Sequence, residues 1–222
     1  MLKTKIVAIA SCLVLVPAIA FADFVNGGFE DGSFNGWIVN DIADPFYPIT
    51  VASNGSDNSF GWPWSSSPTE GNWAAYHGFD GDGVGAVTTI SLAQDLVISG
   101  TTLEFDYRHA WDLTFGAIQD RTFEVSIQPS GGGAALETFT VVTASAGTTV
   151  LDTGNMSAAL DVSAYNGQAV RVSFDWQVPE PFTGPGAAQL DNVRVTGTAI
   201  PEPTSIAILS IGLLALTKRR RN

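Results

Sequence analysis

The chain holds few residues suited to covalent chemistry. His77 and His109 are the only imidazoles, and Cys12 is the single cysteine. Neither Gly-x-Ser-x-Gly nor His-Glu-x-x-His occurs, so two common hydrolase signatures are missing. His109 follows the inward positions of a strand and reads as a core or rim residue. Carboxylates are plentiful, 22 in all, and a pair of them is what glycoside hydrolysis needs. Their number singles out no particular pair. The run from Phe79 to Gly85 starts like a calcium loop with Asp80 and Asp82. It then places Val84 at a ligand position and Ser91 where a bidentate Glu is required, so it reads as a solvated hairpin loop. Asp191 shares parity with Val193 and Val195 and is expected to face inward. A buried carboxylate needs a charge partner, backbone donors or a metal; here the partners open to it are Arg171, Arg194, backbone N–H groups or an ion. Phe60, Trp62 and Trp64 sit in a stretch dense in Ser, Asn, Gly and Pro. On a loop such rings either stack on sugar C–H faces or fold back over the sandwich edge.

The elements that must position these residues read as strands. Leu103, Phe105 and Tyr107 alternate with Glu104, Asp106 and Arg108. Phe123, Val125 and Ile127 alternate with Glu124 and Ser126, and Val170, Val172, Phe174 and Trp176 alternate with Arg171, Ser173 and Asp175. Period-two patterns of this kind mark half-buried antiparallel strands. Turn clusters separate them at 129–134, 145–149, 165–167 and 182–186. Residues 155–165 hold at most one short turn of helix. Trp37, Trp73 and Trp176 read as core, and Trp111 is open either way. The fold class predicted is an all-β antiparallel sandwich of jelly-roll type, flanked by an N-terminal signal helix and a short C-terminal apolar helix.

Three regions follow. Residues 1–22 have Lys3 and Lys5, an apolar run and the small residues Ala20 and Ala22, which is the pattern of a signal peptide cut by signal peptidase before Asp23. Cys12 leaves with it, so no disulfide is expected in the exported part. Residues 23–199 form one sandwich domain. It has 21 of the 22 acidic residues against Arg108, Arg121, Arg171 and Arg194, with no lysine, for a net charge of −17. Such a surface repels phosphate backbones, which argues against nucleic-acid binding, and suits Ca²⁺. Residues 200–222 hold Pro201-Glu202-Pro203, an apolar run to Thr217, and Lys218, Arg219, Arg220 and Arg221. The run from Thr204 to Thr217 spans roughly 21 Å as a helix, short of a ~30 Å hydrocarbon core. Its basic end stays cytoplasmic under the positive-inside rule, so the tail makes only transient membrane contact.

The order Pro-Glu-Pro, short apolar helix, basic terminus resembles the PEP-CTERM sorting domain. That resemblance implies processing by exosortase, a membrane-embedded cysteine protease-transpeptidase. It also implies an exopolysaccharide-producing bacterium of Gram-negative type, with the product in the cell envelope, on the outer surface or in the extracellular, biofilm-type matrix. Pro179-Glu180-Pro181 lacks the two later elements and reads as a turn. The opening from Phe24 to Val39 and the closing run from Gln189 to Gly197 resemble galactose-binding-like jelly rolls, which include carbohydrate-binding modules. Those modules hold a structural Ca²⁺ through the Glu of the opening motif and the Asp of the closing strand, which implies Glu30 and Asp191 here. The function expected is that of a non-enzymatic, polysaccharide-associated surface or matrix protein. The alternative is a small secreted hydrolase acting on glycans or esters.

Overall fold

The computed structural model describes residues 23–42, 47–57, 64–80 and 88–197. The signal segment, the sorting tail, Phe60, Trp62 and Asp82 lie outside the described residues. The strands in chain order are β1 (Ile38–Asn40), β2 (Thr50–Ser53), β3 (Trp73–Phe79), β4 (Thr88–Val97), β5 (Thr102–Asp112), β6 (Arg121–Pro129), β7 (Glu137–Ala144), β8 (Thr149–Val150), β9 (Met156–Asp161), β10 (Ala169–Val178) and β11 (Gly186–Thr196). One sheet runs β1-β4-β10-β6-β7 and the other β2-β3-β11-β5-β8, with β9 also paired to β5. Every strand pairing is antiparallel. The result is the all-β sandwich that the alternating strands predicted, with a single 3-10 turn at Ser163–Tyr165 in the stretch expected to hold one helical turn.

The alternation decides the packing. Val170, Val172, Phe174, Trp176 and Val178 of β10 face Leu103 and Phe105 of β5 across one core. Phe174 touches Phe105 at 5.1 Å between ring centres, and Trp176 stacks on Phe123 at 4.8 Å. A Phe buried to this extent contributes about 1.5–3 kcal/mol, and a cysteine-free domain depends on many such contacts. The segment before β1 closes the core's open edge. Phe24, Phe29 and Trp37 all join it, with Trp37 stacked on Phe29 at 5.1 Å. Gln94 pins this segment by accepting from Val25 N at 2.7 Å and donating to Val25 O at 3.0 Å.

One irregularity changes the expected geometry. The β11–β5 register shifts between Asp191 and Arg194, and Asn192 takes the left-handed conformation with φ 53°. The bulge reverses the parity of β11. Leu190, Val193 and Val195 face the main core, whereas Ala187 faces a second cluster with Ala52, Trp64, Tyr76 and Ala110. Gln189 and Asp191 face that same outer side, where they bond the segment from Ser67 to Glu70. Asp191 is fully buried as expected, but on the outer face of its sheet rather than between the sheets, because a bulge inserts one residue into the two-residue period. Asn tolerates the left-handed region where a β-branched residue does not. Asn192→Val is expected to destabilise the domain by about 2–3 kcal/mol, combining left-handed strain with loss of the Asn192–Asp106 hydrogen bond. Asn192→Gly, which removes only the hydrogen bond, is expected to cost about 1 kcal/mol. Equal denaturant midpoints for the two variants would contradict the strain argument.

Candidate functional site

Two arrangements come together around the sheet that contains β11. The first joins the chain's opening and closing motifs through the turn that precedes β3. Asp191 Oδ2 accepts from Thr69 N at 2.7 Å and from Glu70 N at 3.1 Å, and its Oδ1 accepts from Asn192 N at 2.7 Å. Glu30 Oε1 accepts from Asn72 N at 2.8 Å and from Trp73 N at 2.9 Å. Two carboxylates from distant parts of the chain thus hold successive amides of one turn. Gly71 sits between them at φ 59°, where a Cβ would lie 2.1–2.4 Å from the Glu30 carboxyl atoms. Gly28 is constrained reciprocally, since a Cβ there would meet Glu70 Oε2 at 2.0 Å. The opening segment also binds β11 directly through Val193 N to Gly27 O at 3.0 Å and Val195 N to Asp23 Oδ1 at 3.0 Å.

The partners of Asp191 are therefore backbone amides and the Thr69 hydroxyl. Arg171 pairs with Asp95, and Arg194 pairs with Glu104. Among the described residues, no three His, Cys, Asp or Glu side chains are grouped tightly enough to hold a metal by themselves. Glu30, Glu70 and Asp191 are oxygen ligands by type, the kind a hard cation takes, but Glu30 Oε1 and both oxygens of Asp191 already accept backbone N–H groups. Asp80 is not a calcium ligand in form: its Oδ1 accepts from Gly184 N at 2.9 Å and lies 3.4 Å from Arg121 Nη2.

The second arrangement surrounds the start of the aromatic loop. Trp64 is 2% exposed, so it cannot stack on a sugar as an open-loop ring would. It stacks on Tyr76 at 5.0 Å between ring centres, and the Arg108 guanidinium lies over its ring at 4.7 Å. Arg108 forks onto Asp152 through Nε at 2.8 Å and Nη2 at 2.7 Å, which lowers the Asp152 carboxyl to about 2. Trp64 thus follows the fold-back alternative, with its ring held in the second cluster by a stacked Tyr and a bound Arg. Sequence reasoning did not find Arg108 as its partner, because the strand pattern shows only that Arg108 points away from the main core.

Beside this cluster an open groove of about 470 Å³ runs along β2, the sheet's edge strand. Thr50, Ser53, Ser56, Asp57 and the half-buried Trp73 line it. Asp57 bridges Ser65, so the groove lies beside residues that flank 58–63, the stretch whose sequence includes Phe60 and Trp62. Hydroxyls, a carboxylate and an indole in one trough are the groups that recognise a sugar ring. On the outer face of the other sheet, Asp175 stands directly opposite Glu124. Burial pushes the Asp175 carboxyl up, and it accepts from Ser173 Oγ and Ser126 Oγ.

Residues 199–221 match the PEP-CTERM protein-sorting motif, which implies export and association with the cell envelope. No curated protein sequence matches the chain. Among solved structures, the chain is similar to the CBM61 module TmCBM61 in complex with β-1,4-galactotriose, at 13% identity over 78% of this chain and 97% of that one, TM-score 0.45. It is similar to Caldicellulosiruptor saccharolyticus CBM27-1 in complex with mannohexaose, at 15% identity over 82% and 100%, TM-score 0.46. It is also similar to the K2 cleaved adhesin domain of Lys-gingipain, at 15% identity over 79% and 98%, TM-score 0.47. No helix among the described residues is long and apolar enough to cross a membrane.

Burial raises the Asp191 carboxyl to about 6 from an ordinary 3.8. Between those values the folded chain holds the proton that the unfolded chain has lost, so stability falls as pH rises from about 4 to about 6 and then levels. Asp191→Asn is expected to flatten this limb of the stability profile in metal-free buffer. An unchanged limb would assign the pH dependence to another group.

Proposed function

We propose that this is an exported, envelope-sorted protein whose sandwich binds neutral, hydroxyl-rich polysaccharide and is not an enzyme. The observation that carries the binding half is the groove along β2, which brings Trp73 and Asp57 together on residues adjoining the stretch with Phe60 and Trp62 in its sequence. The ligand is neutral because a net charge of −17 on residues 23–199 disfavours a polyanion. The sorting motif supports delivery to the envelope, with exosortase acting at Pro201-Glu202-Pro203 and signal peptidase after Ala22. The bacterium is of Gram-negative type, and the product sits on its outer surface or in its matrix.

The test is affinity for a panel of neutral glycans. Trp62→Ala and Asp57→Asn are each expected to weaken binding about tenfold, the scale of one lost stacking or hydrogen-bonding contact, with the melting temperature held. Wild-type affinity in both variants would remove the groove as the binding site. A secreted hydrolase is the second reading, and the opposed pair Asp175 and Glu124 is the one arrangement that favours it. Glycan turnover lost in Asp175→Asn or Glu124→Gln would put that reading in place of the first.

A structural Ca²⁺ at Glu30 and Asp191, with Glu70 alongside, clips the opening segment to β11 and the turn before β3. Added calcium is expected to raise the melting temperature by about 3–8 °C, corresponding to roughly 1–2 kcal/mol of linkage. Glu30→Gln and Asp191→Asn are expected to lose that rise. No change between calcium-loaded and EGTA-treated protein would exclude the ion.

A further inference from the structure

An asparagine followed by glycine is a chemically weak point in a chain, because no side chain shields the glycine nitrogen from the preceding carboxamide. The sequence has four such pairs, beginning at Asn26, Asn35, Asn54 and Asn166. The fold treats them differently. Gly55 N donates to Ser66 O at 2.8 Å, and Gly167 N donates to Ile98 O at 2.8 Å. A nitrogen so engaged must first be freed by local opening, as a bonded amide must before its hydrogen exchanges. At Asn26 the carboxamide is the held partner. Its Nδ2 donates to Asp31 Oδ1 at 2.7 Å and to Ser33 O at 2.8 Å, and Gly27 is buried against Val193. Turning that carboxamide onto its own main chain would break both bonds.

The pair at Asn35 has neither protection. Both of its residues are exposed. Gly36 N donates to no group among the described residues. The pair forms the tip of a turn closed by Trp37 N to Phe34 O at 2.9 Å, with Gly36 at φ 85°. Glycine tolerates several conformations at such a position, so the peptide between residues 35 and 36 is free to rotate. The Asn35 carboxamide turns toward the exposed Asp31 carboxylate, a contact that, after the Ser33 hydroxyl, helps hold that carboxyl below its ordinary value. Neither the nucleophile nor the carbon it attacks is therefore tied into the fold.

We propose that Asn35 is the site at which the exported domain deamidates spontaneously. Gly36 N bonds to Asn35 Cγ, the Cγ–Nδ2 bond breaks, and the Gly36 N proton leaves with Nδ2 as ammonia. The succinimide ring that remains is opened by water. Attack at Cγ gives aspartate, and attack at the main-chain carbonyl gives isoaspartate, with one extra carbon in the main chain. The new carboxylate stands beside Asp31, and the isoaspartate form lengthens the turn that delivers Trp37 to its stack on Phe29. The site is separate from the β2 groove and stands whether or not that groove binds glycan.

The test is peptide mapping by mass spectrometry as the exported protein ages at mildly alkaline pH. A gain of about 1 Da per molecule is expected first in the peptide holding Asn35. The other three pairs are expected to react about tenfold more slowly or less, since each must break a hydrogen bond. In urea all four are expected to react at similar rates. Asn35→Gln, whose carboxamide would have to close a larger ring, is expected to remove the gain from its peptide. Aged wild type is expected to lose about 2–4 °C of melting temperature, and aged Asn35→Gln to hold it. Equal rates at the four pairs in the folded protein, or a faster gain at another pair, would overturn the assignment. The same order of rates in urea would show that local sequence selects Asn35 and the fold does not. An equal loss of melting temperature in aged Asn35→Gln would overturn the effect on the opening segment.

Discussion

The fold turns on the carboxylate of Asp191 and the bulge that aims it. A regular β11 would send this side chain between the sheets, into a core of Phe, Leu and Val that offers it no donor. The residue inserted at Asn192 turns Asp191 to the outer face, where the amides of Thr69 and Glu70 are waiting. The same irregularity frees Val193 N to meet Gly27 O, so the opening segment is fixed to the last strand. Glu30 then completes the arrangement from the other side of the turn. In a domain without disulfides, this joint ties the first and last parts of the chain to the segment between them.

The joint also explains why the outer face of the second sheet is covered. Once residues 67–72 are held by Asp191, Gln189 and Glu30, the preceding residues must cross the sheet. Trp64 then falls between Tyr76 and Arg108. All four arginines of the domain are engaged with acids: Arg108 with Asp152, Arg121 with Asp80, Arg171 with Asp95 and Arg194 with Glu104. The surplus carboxylates are met by short hydroxyl and amide side chains instead of lysine. Asp31 accepts from Ser33 and Asn26, and Asp112 from Thr114 and Thr149. The surface is thus both strongly acidic and internally hydrogen-bonded.

The strands and their inward faces were readable because period-two alternation is a local property. Leu103 and Phe105, Phe123 and Val125, and Phe174 and Trp176 all point where the pattern said. The opening and closing motifs do meet, as their resemblance implied, but backbone amides lie between them. The bulge was not read, although Asp-Asn ahead of Val-Arg-Val is a signal for it, since Asn is enriched in left-handed positions. Parity counting assumes an unbroken strand and so placed Asp191 on the wrong face. The partners of Trp64 and of Arg121 were hidden for a different reason. They are set by contacts between residues twelve to more than forty positions apart, which no local period records.

The two rims of the sandwich are built on opposite terms. At the closed side, every carboxylate that enters the interior is matched, and the matching holds the chain together. At the rim beside β6, Arg121 enters the interior with its charge met through a single nitrogen, Nη2, and with Nε and Nη1 unpartnered. Replacing a buried ion pair such as Arg121–Asp80 by apolar residues of similar volume is often neutral or stabilising, whereas removing one partner leaves the other charge buried and unpaired. Phe79, Phe123 and Trp176 already supply the apolar walls for such a replacement. Arg121, His109 and Trp176 each keep a buried nitrogen without a partner around one cavity at this rim, as His77 does elsewhere in the described interior, so the polar cost of this rim is borne by the apolar packing around it.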